Sequence, residues 1–477
     1  MKTDKGRHAL VIGGSMAGLL AARILTNHFD RVTVVERDFL PEEPQPRPGV
    51  PQAKHVHVLL ARGKQILEQL FPGIDAELTA AGAPSVDWAA DCLWLGLWGW
   101  TPRFPSHVVT HTCSRHFLEW VVRRRLTAYS NVQFLDGTQV RELLTDESRS
   151  IVTGVRVHSR NDTQETELTA DLVVDASGRN SPLPKWLEDL GYSAPPETAI
   201  NSFLGYSTCW YQPPEGFQPD WKVLLISYRP PENERSGLLY PVEGNRWIVN
   251  LAGVARDYPP TDEAGFLEFA SSLRSPSIYE AIKNAKPLGA IHGYRRTENR
   301  WRHYEKLSKL PEGLIAIGDA VCAFNPFYGQ GMTTAALGAL TLDNCLHQQF
   351  QRSQNNLTGL TRRFQKQLAH ILKTPWLMAA GEDLRWATTE GGKRSWVTQL
   401  MQRYMDRVLL LALDHPEVHR TFVEVIHMLK PSTALFHPHI LLRVLRQIGA
   451  SPKEGSSKVM TNSLTHSYNS PALHHER

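Results

Sequence analysis

"HALVIGGSMAGLLAARIL" (residues 8–25), followed closely by "RVTVVERD" (31–38), decides how the rest of this 477-residue chain is read. An apolar run meets a glycine pair, and small and apolar residues then recur at helical spacing, which predicts strand, tight turn and helix. The second stretch predicts another strand, ending on the acid Glu36. A βαβ unit of this kind is where glycines let the backbone approach a pyrophosphate and a strand-end acid holds an adenosine ribose. Gly13 and Gly18 take the outer glycine positions, while Ser15 stands at the middle one with Gly14 beside it. Gly13, Gly14, Ser15, Ala17, Gly18, Glu36 and Arg37 are the expected nucleotide contacts at this end. Glycines alone also fit a strand–helix turn that needs them only for its own geometry.

A late stretch, "LIAIGDAVCAFNPFYGQGMTTAALGALTLDNCL" (314–346), has related logic. A short buried strand ends at Gly-Asp, a Pro- and Gly-rich loop follows, and a Pro-free helix is expected from Met332 to Leu346. The unpaired amides and positive dipole end of that helix face whatever the loop holds. Asp319 is placed to accept hydrogen bonds from a sugar-like hydroxyl. Taken alone, the stretch is equally an ordinary strand–loop–helix junction with a surface Asp.

Composition narrows the classes. A 42% hydrophobic and 21% charged chain is typical of soluble globular proteins, and a net charge of +4 over this length does not suit nucleic acid as the main partner. Five scattered cysteines without a Cys-x-x-Cys argue against a disulfide framework or a structural zinc, so a cytoplasmic location and no metal are expected. A first strand beginning by His8 leaves no room for a signal peptide, and no apolar stretch has the length of a spanning helix.

Between the two glycine stretches, "PEEPQPRPGVPQAKHVH" (41–57) is too proline-rich for a helix and predicts an extended loop. His55 and His57 have the same-side spacing of a strand. They lack a third metal partner, and solvated loop histidines or ligand contacts are the open readings. "TCSRHFLEWVVRRRLTAY" (112–129) predicts an amphipathic helix with Arg115 at its start, where a guanidinium reaches a phosphate, and Arg123 to Arg125 on a solvated face. "VQFL" (132–135) and "VTGVRVH" (152–158) suggest a β-meander. "TADLVVDASGRNSPLPKWL" (169–187) predicts a buried strand entering a small-residue turn.

The Gly-rich βαβ unit, the Arg-initiated helix, "DLVVDASGRNS" and "GDAVCAFNPFYGQGMT", in this order, resemble the FAD-dependent monooxygenases of the para-hydroxybenzoate hydroxylase fold. "RPGVPQAKHVHVLLARG" and "LLYPVEGNRWIVNLAG" (238–253) look closer still to bacterial flavin epoxidases of polyether biosynthesis, with squalene epoxidase a more distant relative. The resemblance implies an α/β fold, with a Rossmann-like FAD-binding domain (1–199 and 301–350) interleaved with a substrate-binding sheet region (200–300). A C-terminal helical region (351–449) and a disordered tail (450–477) follow. It assigns Gly13, Ser15 and Gly18 to the pyrophosphate turn, Glu36 to the ribose and Arg115 to phosphate. Val140 becomes a further cofactor contact, Asp319 meets the ribityl chain, and Pro326, Gly329, Gly331 and Met332 lie against the isoalloxazine ring. The family's middle motif reads Ala-Asp-Gly where this chain has Ala176-Ser177-Gly178. Electrons are therefore expected from NAD(P)H either directly or through a separate flavin reductase.

Residues 200–300 are expected to form a sheet roofing the flavin, with Phe203, Tyr206, Trp210, Tyr228, Tyr240 and Trp247 as candidate pocket aromatics or core. "CLWLGLWGWTP" (92–102) is dense in tryptophan but lacks the order and position of the halogenase tryptophan motif, which argues against halogenation. From about 357 the pattern is helical, with breaks at Pro375, Gly391, Pro416 and Pro431. Residues 360–450 carry 13 Lys and Arg against 7 Asp and Glu, which fits either packing on the body or peripheral contact with an anionic membrane. The implied chemistry is transfer of one oxygen atom from O2, through a flavin C4a-hydroperoxide, to an apolar small molecule. Olefin epoxidation leads, because an alkene needs no catalytic base and no acid–base pair is evident, the histidines aside. The alternatives are aromatic hydroxylation and a flavin-dependent reduction of isoprenoid double bonds, as in geranylgeranyl reductases.

Overall fold

A computed structural model describes residues 6–162, 164–353 and 356–447. The tail expected over 450–477 lies outside the described residues. Five parallel strands form the central sheet in the order Leu314–Ala316, Leu172–Asp175, His8–Ile12, Arg31–Val35 and Val132–Leu135. Val11 pairs with both Val34 and Val174, so the apolar run of the first strand is enclosed by equally apolar neighbours. Helices cover such a sheet on both faces, which is why its strands do not alternate polar and apolar residues. Met16–Leu25, Arg115–Leu126, Gly331–Arg352 and Leu360–Asp383 share its hydrophobic core.

Val132–Leu135, expected in the meander, instead forms the sheet edge beside Arg31–Val35. The meander consists of Thr138–Thr145, Val152–Ser159 and Glu165–Thr169. The proline-rich loop contains one 3₁₀ turn, Pro51–Lys54, with Pro at its first position, where no backbone donor is missed.

A second sheet is mostly antiparallel. Its strands run Lys286–Pro287, Gly205–Gln212, Arg246–Gly253, Arg235–Val242, Val223–Ile226 and Cys92–Leu95, so the tryptophan-dense stretch joins it by pairing in parallel with Val223–Ile226. The C-terminal part comprises Leu360–Asp383, Trp396–Asp414, Pro416–Ile426 and Pro438–Arg446. The first continues through Pro375, where a break was expected. The last three close a small core of their own around Val408, Leu411, Val418, Val425, Ile440 and Val444. Nor are Arg123 to Arg125 simply solvated. Arg123 is buried and donates to the carbonyl of Pro41, while Arg124 and Arg125 both pair with Glu77, tying their helix to its neighbours. No described helix is long and apolar enough to cross a membrane.

Candidate functional site

A cavity of ≈ 1630 Å³ opens at the carboxyl ends of the parallel strands and reaches the C-terminal helices. Crevices at that end of a parallel sheet are where doubly wound folds bind ligands. Its first half gathers Gly13, Ser15, Ala17, Glu36, Arg37, Arg115, Val140, Asp319, Pro326, Gly329, Gly331 and Met332 from segments far apart in the chain. Gly14 and Gly18 lie behind this wall. A Cβ on Gly18 would stand 1.8 Å from the carbonyl oxygen of Gly13, so glycine there lets the helix pack onto the turn. Gly13 itself has φ of +104°, a conformation that favours glycine.

The wall is charged in a way that no single segment announces. Arg47, in the proline-rich loop, donates from Nη1 to Asp38 (3.0 Å), contacts Glu36 at 3.1 Å, and donates from Nε to Glu119 (2.9 Å). Glu36 also accepts from the amide of Gly14 at 2.7 Å. Arg115 Nη2 meets Glu119 and Ser15 Oγ, each at 2.8 Å, and Ser15 Oγ donates to Glu119 at 2.7 Å. Burial alone would lift the carboxyl of Glu119, but Arg115 and Arg47 hold it below its ordinary value. Arg47 Nη2, Arg115 Nη1 and Gln330 Oε1 remain buried with no partner among the described residues. Unpaired buried donors cost free energy, and two guanidinium donors beside a glycine turn match the needs of a pyrophosphate. A dinucleotide cofactor fits this donor set. Neither Arg47 nor Glu119 was singled out from sequence.

Asp319 sits in the 3₁₀ turn Gly318–Ala320, just past its strand. Burial lifts its carboxyl above the usual range against the pull of Arg179 and Arg115, and none of the described residues donates a hydrogen bond to it. It is an acceptor on the cavity wall. Beyond it, the Pro326–Tyr328 turn ends on Gly329 in the left-handed region, and the helix Gly331–Arg352 starts without a side-chain cap, leaving its first amides toward the cavity. The middle motif turns inward. Asp175 is fully buried and accepts from Ser177 Oγ and Ser181 Oγ, each at 2.5 Å, so the cavity is lined by Ala176 to Asn180 and not by this carboxylate.

His55 and His57 do not share a surface. His57 lines the cavity, whereas His55 is core, bonded to Thr208 Oγ1 at 2.8 Å and packed edge-on against Tyr206. The turn just before His55 breaks the alternation that a strand would have imposed. Burial drops His57 to about 4, and its Nδ1 faces the carbonyl of His55 at 3.1 Å, so the ring is neutral with its proton on Nδ1. Among the candidate aromatics only Tyr206 and Tyr228 reach the cavity, while Phe203, Trp210, Tyr240 and Trp247 do not.

Tyr228 begins a relay that the sequence did not disclose. Its hydroxyl lies 3.0 Å from that of Tyr328, which donates to Asp383 Oδ1 at 2.9 Å. Asn299 and Asn325 donate to the same carboxylate. Burial pushes Asp383 up to about 7 despite hydrogen bonds from Asn325, Tyr328 and Ser202. A carboxyl raised in the folded state stabilises fully below its unfolded value near 4, and that contribution is lost as pH rises through 7. Wild-type protein should therefore lose a few kcal/mol of stability between about pH 4 and pH 7 relative to Asp383→Asn, on the scale set by pKa linkage. Denaturant unfolding of both proteins across that range checks the slope difference, and parallel curves would contradict it.

The far half of the cavity is apolar. Trp94, Leu225 and Leu238 from the second sheet, with Trp98 from the bend after Cys92–Leu95, face Met405, Leu409, Phe422 and Ile426 from the C-terminal helices. The indole N–H groups of Trp94 and Trp98 are bonded to Ser227 Oγ (2.8 Å) and the Asp406 carbonyl (3.0 Å), so the rings add wall without unpaired donors. His419 and His427 also line this half, and burial lowers them to about 4 and about 3, which keeps both neutral.

Comparison with known proteins agrees with this geometry. A family model described as an FAD binding domain matches residues 7–357. Protein Rv3254 of Mycobacterium tuberculosis is 35% identical over 403 residues, covering 82% of this chain and 83% of that protein. A kynurenine 3-monooxygenase of Salinispora arenicola is 26% identical over 352 residues, covering 71% and 72%. The solved structure of a flavoprotein/dehydrogenase from Cytophaga hutchinsonii superimposes with a TM-score of 0.65 at 15% identity, over 93% of this chain and all of that one, a likeness of fold.

Proposed function

The chain belongs to the FAD binding domain family and is an FAD-dependent monooxygenase, and from that premise we propose that it transfers one oxygen atom of O2 to an apolar natural product, by epoxidation of an olefin. The observation that carries the reading is the apolar far half of the cavity, whose two histidines are uncharged and which suits a large hydrocarbon-like substrate. In this reading Glu36, Arg37 and Val140 flank the adenosine half of FAD, while Ser15, Arg47 and Arg115 meet the pyrophosphate. Asp319 accepts from the ribityl hydroxyls, and Pro326 to Met332 lie against the ring. Reduced FAD supplies the oxygen activation, and the protein positions the substrate and excludes water. The neutral Nε2 of His57 is an acceptor on the cavity wall. All five cysteines are buried and unpaired, which suits a reducing cytoplasm.

One observation favours hydroxylation of a phenol instead. The Tyr228–Tyr328–Asp383 chain can take a proton from a hydroxyl in the cavity and hold it on a carboxyl that titrates near neutrality. Aerobic incubation of the reduced protein with matched olefin and phenol substrates separates the readings. Epoxide formation that survives Tyr228→Phe supports epoxidation. Phenol hydroxylation that collapses in the same variant supports the second reading. A saturated product formed without oxygen uptake contradicts both.

Electron supply is also proposed. With its acid turned inward, the middle motif offers no carboxylate on the cavity wall for nicotinamide docking. Free NADPH should therefore bleach the flavin slowly, and a separate flavin reductase should serve better. Anaerobic stopped-flow checks this, and rapid, substrate-stimulated bleaching by NADPH alone would overturn it.

A further inference from the structure

The cavity's outer end is a surface feature in its own right. Leu377, Val397, Met401 and Phe436 line the cavity and are also exposed, so they form an apolar mouth. Around it the helix Trp396–Asp414 leaves Trp396 74% and Leu400 58% exposed. Of the twelve large apolar side chains exposed among the described residues, nine fall between 377 and 445, so the apolar surface is concentrated in the C-terminal helices. Soluble monomers rarely gather exposed apolar residues in this way without a binding role.

Charge identifies the occupant. From 391 to 405 the chain has three cations, Lys393, Arg394 and Arg403, and no acid. All three are exposed and make no ion pair with the described residues. Trp396, Leu400 and Arg403 recur at i, i+4 and i+7, which puts indole, aliphatic and guanidinium groups along one helix face. Tryptophan favours the bilayer interface, and unpaired cations are drawn to anionic headgroups. A self-association face would have no use for uncompensated like charges, which repel across a two-fold contact.

We propose that this face docks on an anionic lipid bilayer, with Trp396 and Leu400 inserted among the acyl chains and the mouth turned to the membrane, so that lipophilic substrate enters the cavity without crossing water. The function of the mouth rests on the apolar-substrate reading above; the docking does not. Docking is peripheral.

The test is co-sedimentation of the full-length holoprotein with phosphatidylglycerol/phosphatidylcholine vesicles and with phosphatidylcholine alone, at low and high salt. Binding to the anionic vesicles should exceed that to the neutral ones by about tenfold or more and weaken with salt. Trp396→Ser combined with Leu400→Ser should reduce it to the neutral-vesicle level with flavin absorbance unchanged. Equal, negligible sedimentation with both vesicles would overturn the proposal. So would a concentration-dependent wild-type dimer that the double variant dissolves, since the face would then serve self-association. Vesicle binding by a protein that does not turn over olefins would leave the docking standing and remove only the epoxidation reading.

Discussion

Replacing Arg47 by methionine should destabilise the protein by about 3–5 kcal/mol, the cost of breaking a buried ion pair by removing one partner. Glu36, Asp38 and Glu119 all lean on this guanidinium, each of them is buried, and Arg115 compensates only Glu119. The same substitution removes a donor aimed at the proposed pyrophosphate site, so the purified variant should be largely colourless. Denaturant unfolding with flavin absorbance checks both effects. Arg47→Lys should recover part of the stability, because an ammonium can neutralise the acids but cannot reach all three in the planar fork geometry. An unchanged unfolding midpoint in Arg47→Met would show that the carboxylates are balanced by other groups.

Asp319→Ala should leave stability near wild type and weaken FAD binding about tenfold or more. Losing a hydrogen bond to a charged acceptor costs about 1.5–3 kcal/mol. Stability is spared because no described residue spends a hydrogen bond on this carboxylate, and its removal relieves the desolvation that lifts its pKa. The two variants therefore separate structure from cofactor binding, since the proposal gives Arg47 both roles and Asp319 only the second. Fluorescence titration of the apoprotein with FAD measures the effect. Unchanged affinity would mark the strand-end acid as structural.

These two residues also show what the sequence could and could not disclose. The place of Asp319 at a strand end on the cavity wall was legible because its signal is local: a strand, a turn and a helix start within twenty residues follow from apolar patterning and glycine chemistry. The βαβ unit at residues 8–38 was legible for the same reason. Arg47 was not, because its meaning depends on Asp38, Glu36 and Glu119, which only the folded loop brings together. The available signal was an arginine fixed between prolines, and it drew less notice than the histidines downstream. Asp383 lies in an amphipathic helix far from the loop whose Asn325 and Tyr328 it holds, and no periodicity marks such a pairing. Trp94 and Trp98 were visible as composition, but their place on the cavity wall follows from pairing of Cys92–Leu95 with a strand well over a hundred residues later. The strand-like spacing of His55 and His57 misled, since a 3₁₀ turn precedes them.

The most direct test of oxygen transfer to an apolar substrate is mass spectrometry of the product formed from an olefin under labelled dioxygen, with electrons supplied by a flavin reductase. The account predicts one labelled oxygen atom in each product molecule and none drawn from water. A product with unlabelled oxygen, or a reduced olefin formed equally well without dioxygen, would contradict it.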